Sequence, residues 1–311
     1  MSLSAIEGDA PAPDMGPDAV SALVMTDVAG VPDEPPASLL YNHRPRLWRS
    51  ARLLLGRFDI IYTLAERDIR AQYKQAALGI GWAFVNPLVT LVVFTFLSSH
   101  ISSLKVHGQP QLLFLYIGIL SWGFFSGAVM GAASSLLANK LMMAKTHFPR
   151  ECFPLAQVAE SGFTSAVATI ALVGLFVIEF AKTGFVPKLA TLWVPMYIAV
   201  EIPFAIGVAL MMSSLIVQMR DLNQVIPIFM PLAMLLTPVI WPFYKIAPAW
   251  QPLYSFINPV GPVINDIRGS MLQNFGPQWG LLAAAACGAT LYLVGGYALF
   301  KRLEVSFADL A

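Results

Sequence analysis

Six apolar runs divide the chain, at about residues 83–103, 112–137, 156–180, 190–217, 224–243 and 278–300. Each is about 20 residues or longer, enough to carry a helix across a hydrocarbon core of about 30 Å. Backbone in lipid must satisfy its own hydrogen bonds, so the runs are expected to be helical. The pattern therefore predicts an all-α integral membrane protein with six transmembrane helices. Ahead of the first run the pattern turns amphipathic. Ile61, Ala65, Ile69 and Tyr73 recur every fourth residue, beside a second stripe of Glu66, Arg70 and Lys74. This predicts a helix over about 59–75 lying in the membrane interface, with packing on a soluble partner as the alternative. Two connections also stand out. Residues 138–155, NKLMMAKTHFPRECFPLA, are too long for a tight turn, and a short surface helix is expected there. Residues 244–277 hold Trp250, Tyr254, Phe256 and Ile257, interrupted by Pro248, Pro252, Pro259 and Pro262. A stretch so apolar, yet too broken to span, reads as a re-entrant or interfacial segment between spans five and six.

Composition narrows the class. Hydrophobic residues make up 57% of the 311 and charged residues 12%, with a mean hydropathy of +0.67. A soluble core cannot absorb that excess without a large exposed apolar patch. A net charge of +1 gives no field that would draw nucleic acid. Cys152 and Cys287 lie far apart in different contexts and suggest neither a disulfide framework nor a metal site.

Charge then sets domains and orientation. Residues 1–45 contain seven acids, seven prolines and only one basic residue, Arg44, and read as a disordered cytoplasmic tail ahead of a transmembrane domain over 46–311. The tail lacks the basic start and apolar stretch of a secretory signal. With both termini in the cytoplasm, six spans put fourteen of the nineteen basic residues on the inner side. The outer five are Lys105, Lys182, Lys188, Lys245 and Arg268. That bias agrees with the positive-inside rule and favours this orientation over its inverse.

Catalytic motifs are scarce. No G-x-x-x-x-G-K-[ST] loop occurs, so the chain is not expected to hydrolyse ATP itself. There is no H-E-x-x-H, G-x-S-x-G or C-x-x-C, and His43, His100, His107 and His147 are scattered. No catalytic residue, metal or cofactor is assigned to this chain. Glu160, Glu179 and Glu201 fall in or near spans, where an acid is a functional candidate by default. Glu160 and Glu179 sit near span ends. Glu201 is mid-span, and either substrate contact or a hydrogen bond to a neighbouring helix would account for it. In the fifth run Pro227, Pro231, Pro238 and Pro242 share one helical face. Each removes an N–H donor, so the helix should bend or open there and its freed carbonyls need partners. Trp241, Phe243 and Tyr244 cluster at its end, as an interfacial aromatic belt or as an aromatic lining suited to sugars.

The segment running from Arg67-Asp68 through Tyr73, Leu78-Gly79 and Trp82 to Pro87-Leu88 resembles the start of the membrane subunits of polysaccharide-exporting type-2 ABC transporters, the Wzm and teichoic-acid exporter kind. Phe148-Pro149-Arg150 with Pro154-Leu155 is similar to that family's connection after span two. Arg220-Asp221-Leu222 is similar to its loop before span five. The likeness covers about residues 46–311; the long acidic tail departs from it.

The resemblance implies a homodimer in a bacterial cytoplasmic membrane, paired with two separate ATPase subunits that bind ATP and Mg. The implied cargo is a polyprenyl-pyrophosphate-linked glycan of O-antigen, teichoic-acid or galactan type. It implies that Arg67, Asp68, Arg70, Tyr73 and Lys74 meet the interface and the lipid pyrophosphate, and that Leu78, Gly79, Trp82 and Pro87 form the entry to span one. Lys145, Phe148, Pro149 and Arg150 would contact the ATPase. Spans one and five would line a path, with Phe94, Glu201, Phe229, Trp241 and Tyr244 as candidate lining. A drug or small-lipid exporter of the same fold, an ATP-independent channel or scaffold, and a membrane enzyme such as a glycosyltransferase are the competing readings.

Overall fold

A computed structural model describes residues 56–74, 76–101, 108–145 and 149–304, all within one unit spanning 46–311. The acidic tail and Phe148 lie outside the described residues, as does the side chain of Lys145. The described residues are helical, with no strand among them.

An amphipathic helix, α1 (Phe58–Lys74), comes first. A 3-10 turn over Gly79–Gly81 leads into α2 (Trp82–His100), followed by α3 (Gln111–Ala138) and the short α4 (Lys140–Lys145). Next come α5 (Cys152–Thr183), a 3-10 stretch over Leu189–Trp193 and α6 (Val194–Gln218). The fifth run forms only a 15-residue helix, α7 (Leu222–Leu236). Two short helices, α8 (Gln251–Ile257) and α9 (Val260–Arg268), and a π-helical turn over Gly269–Gln273 precede the last helix, α10 (Trp279–Glu304).

Five helical stretches are long and apolar enough to cross a membrane: Gly79–His100, Gln111–Ala138, Cys152–Thr183, Leu189–Gln218 and Trp279–Glu304. The fifth predicted span departs from this pattern for a local reason. Pro227 and Pro231 are accommodated inside α7, but Thr237 turns to extended backbone and the helix stops at Leu236, two residues before Pro238. A residue preceding proline is pushed out of the α region by the proline ring, so the stop at Thr237 is expected sterically.

The core centres on α3 and α6. The most apolar window of α3 is 72% buried and that of α6 56%, against 11% for the first candidate span and 17% for α5. α3 packs on α5 and α6, and α6 packs on α10. The α6–α10 crossing is backbone to backbone. A Cβ on Gly207 would run into the main chain of Tyr292 and Leu293, and one on Gly296 would meet the Gly207 carbonyl. In lipid, where no hydrophobic drive brings helices together, such small-residue crossings supply close packing. A second cluster gathers Leu64 and Ala65 of α1 with Leu136, Cys152, Phe153, Leu210 and Phe300. α1 is thereby seated on the ends of α3, α5, α6 and α10, while its Phe58 and Tyr62 stay exposed.

Candidate functional site

The motif residues of α1 first serve to dock that helix. Arg67 Nε donates to Asp68 Oδ1 at 2.7 Å, and Arg67 Nη2 donates to Asn139 Oδ1 at 2.9 Å. Gln157 Nε2 of α5 donates to the other Asp68 oxygen at 2.7 Å. The Arg-Asp pair thus ties α1 to the end of α3 and the start of α5. Both carboxylate oxygens are engaged, so Asp68→Ala removes two hydrogen bonds at a half-buried site. The expected cost is about 1–2 kcal/mol. It should appear as lowered thermal stability together with faster hydrogen exchange over 58–74; unchanged exchange there would show that the pair does not hold α1.

Arg70 pairs with Glu66 along the exposed side of α1, and Lys74 is exposed at its end. These two cations point away from the docking network. Tyr73 OH lies 3.1 Å from Thr164 Oγ1 of α5. Gly79 adopts φ +51°, a left-handed conformation that costs a residue with a Cβ, and so turns the chain from α1 into α2. Leu78 beside it is exposed, and Trp82 is 43% exposed.

Beyond this turn lies a groove of about 680 Å³. One wall is α2, with Trp82, Asn86, Pro87 and Thr90. The other is α5, with Glu160, Ser161, Thr164 and Ser165. The floor is a glycine stripe on α3, Gly123, Gly127 and Gly131, flanked by Ser126 and Met130. Gln72 and Tyr73 of α1 close one end, and Met234 of α7 reaches the lining. The stripe has two uses. A Cβ on Gly127 would press on Ser161 Oγ and one on Gly131 on Gln157 Oε1, both at 2.6 Å, so these glycines admit α5. A Cβ on Gly123 would meet nothing within 4 Å, so Gly123 opens onto space.

Glu201 does not line this groove. It is 2% exposed between α6 and α3, and Ser121 Oγ donates to its Oε1 at 2.8 Å. Phe94 is half-buried against the main core. Phe229 is exposed on α7, along with Val225, Ile228, Leu232 and Leu236. On α2, Val89, Val92, Val93 and Phe96 form a similar apolar face.

At the end of α7 the freed carbonyls find partners. Trp241 Nε1 donates to Leu235 O at 2.9 Å, and Tyr254 OH donates to Leu236 O at 3.1 Å. Thr237 Oγ1 donates to Ala233 O and accepts from Asn258 Nδ2. Trp241 therefore caps a helix end with its polar edge, while Tyr244 is exposed with no such role. Sequence reasoning missed the residue that closes this region. Arg268, 3% exposed, donates from Nε to Phe114 O at 2.8 Å and from Nη1 to Pro238 O at 2.7 Å. Its Nη2 donates to Val239 O, and its guanidinium lies over the Phe114 ring, 3.6 Å from the centroid. The signal was an arginine isolated in an apolar, proline-broken stretch.

On the α4 side, Pro149 precedes a buried ion pair. Glu151, 1% exposed, pairs with Lys301 of α10, and Lys301 also meets Glu304 at 2.8 Å. Arg150 Nη1 donates to the Glu304 carbonyl at 2.9 Å. The 138–155 connection is thus fastened to the end of the last helix.

Comparison with known proteins adds three findings. A family model described as "ABC-2 type transporter" matches residues 60–272. An O-antigen export system permease protein RfbA of Klebsiella pneumoniae is 24% identical over 254 residues, covering 81% of this chain and 95% of that protein. The O-antigen export system permease protein RfbA of Myxococcus xanthus is 22% identical over 264 residues, covering 84% of this chain and 98% of that protein.

Proposed function

Because the chain belongs to the ABC-2 type transporter family, we propose that it is the membrane subunit of an ABC exporter that moves a polyprenyl-pyrophosphate-linked polysaccharide out across the bacterial cytoplasmic membrane. The observation that carries this reading is the groove. It is an open groove whose largely apolar lining also carries hydroxyls, amides, an acid and two tryptophans, Trp82 and Trp122. Such a lining suits a polar, hydroxyl-rich cargo travelling beside its lipid tail. Similarity to O-antigen export permeases over nearly their whole length supports the glycan class.

The remaining parts follow from the same reading. The chain crosses the membrane six times, with α7 as the short crossing, α8 and α9 as a re-entrant pair, and both termini in the cytoplasm. Two copies pair through the apolar faces of α2 and α7, which the single chain leaves exposed. Phe94, Phe229 and Tyr244 then belong to or border the path between protomers. Arg70 and Lys74, the two cations of α1 outside the docking network, hold the pyrophosphate at the cytoplasmic surface. The connection around Lys145 to Arg150 receives the motion of a separate ATPase subunit.

ATP closing that partner moves the connection. The Glu151–Lys301 pair passes the movement to α10, and α10 is packed backbone to backbone on α6. The test is reconstitution. The chain should co-purify with an ATPase, and vesicles holding the complex should move lipid-linked glycan only with ATP. Depletion in cells should make that glycolipid accumulate on the cytoplasmic side. An active co-purified ATPase that moves no glycolipid overturns the reading, and no ATPase at all points to a channel or scaffold.

A further inference from the structure

The groove has a chemistry of its own. Among its lining residues Glu160 is the one carboxylate, and no lysine, arginine or histidine joins it. It is half-buried, two turns into α5, and makes no hydrogen bond or ion pair among the described residues. An unpartnered acid in an apolar frame is costly to keep there unless something else satisfies it. Asn86 and Ser165 also face the groove with side chains that make no hydrogen bond among the described residues. Trp82 presents an indole that is 43% exposed. Gly123 leaves the floor open where any side chain would project into the space.

An aromatic face beside a free acceptor carboxylate and small hydroxyl and amide groups matches a sugar ring. The ring's C–H face covers the indole, and its hydroxyls donate to the acid. When ionised, the same acid repels phosphate and carboxylate.

We propose that this groove is a selective site for the glycan's sugars, in which Glu160 accepts hydroxyl donors and disfavours acidic sugars, while the lipid pyrophosphate stays outside on α1. At about 680 Å³ the groove falls in the range that holds ligands larger than one ring, such as a disaccharide. This inference rests on the exporter reading above and adds which sugars are admitted and by which residues.

The experiment uses the full complex in nanodiscs and three probes. They are polyprenyl pyrophosphate, the same lipid bearing a neutral disaccharide, and the same lipid bearing a uronic-acid disaccharide. The wild-type complex should bind the neutral glycolipid about tenfold tighter than either other probe, as one charged hydrogen bond plus stacking allows. Glu160→Gln should bring the neutral and acidic glycolipids to within about threefold of each other, since the amide still accepts but no longer repels. Gly123→Leu, whose first carbon meets no neighbour, should fill the groove and bring both glycolipids to the level of the bare lipid. Co-purification of each variant with its ATPase is the folding control.

Equal ratios in wild type and Glu160→Gln, or full glycolipid affinity in Gly123→Leu, would overturn the proposal while ATP-driven movement still upheld the exporter. Wild-type complex that neither binds nor moves any glycolipid would instead bring down the exporter reading itself.

Discussion

Arg268→Ala is expected to cost roughly 3–5 kcal/mol and to disorder the chain around residues 236–242. The guanidinium serves three carbonyls, from Phe114, Pro238 and Val239. The last two lie beyond the end of α7, where no following helical turn supplies N–H donors. Each buried carbonyl stripped of its donor loses about 1–3 kcal/mol, and the cation–π contact with Phe114 goes with them. Lysine is a poor substitute, because a single ammonium cannot reproduce the planar fork that reaches three acceptors. Thermal unfolding of the purified protein in nanodiscs should rank wild type above Arg268→Lys and Arg268→Ala lowest. A loss below about 1 kcal/mol for the alanine variant would mean water or a neighbouring group takes over the carbonyls. Gly118 gives an internal check. A Cβ there would strike both Arg268 and the Val239 carbonyl, so Gly118→Ala should be costly in wild type and less so once Arg268 is alanine.

Lys301→Met should be nearly as damaging, for a different reason. It leaves Glu151 as an unpaired buried charge, and breaking a buried pair on one side costs about 3–5 kcal/mol. Oε2 of Glu151 already lacks a hydrogen-bond partner among the described residues, so no second donor stands in reserve. The reciprocal change should be milder. Glu151→Gln leaves Lys301 with Glu304 at 2.8 Å. The double variant, Glu151→Gln with Lys301→Met, should recover much of the loss, since neither side then buries an uncompensated charge. A double-mutant cycle on unfolding midpoints checks the asymmetry. Equal losses for the two single variants would show that the pair is solvated and the connection held by other contacts.

The long elements were readable in the sequence because each is decided by its own residues. Runs of apolar side chains produce α2, α3, α5, α6 and α10, and the stripe through Ile61 and Ala65 marks the side on which α1 is buried. The four prolines announced trouble in the fifth run, and the need for carbonyl partners followed from them. Which partners arrive was not readable. Trp241, Tyr254 and Arg268 are brought in by folds of the chain 6, 18 and up to 154 residues away. Nor does local sequence say that the prolines at 227 and 231 sit within a continuous helix while the stop falls at 237.

The candidate site divides in the same way. Arg67, Asp68 and Tyr73 stood out as a motif, but their contacts with Asn139, Gln157 and Thr164 depend on how α3 and α5 meet α1. Glu160 attracted less notice in sequence than Glu201, which lies deeper in its span. Packing reverses the order, because Ser121 satisfies Glu201 while α5 turns Glu160 into the groove.

The shortness of α7 bears on the bilayer itself. Fifteen residues reach about 22 Å, whereas a hydrocarbon core is about 30 Å thick. As the short crossing proposed above, α7 would begin about 8 Å short and would have to thin the surrounding lipid or admit water where the helix gives out. The longer helices tolerate thick membranes by tilting less. Among the described helices of the proposed six-span topology α7 is the shortest crossing, so acyl-chain length should act on this protein through that helix, with the proposed export falling as the bilayer is thickened.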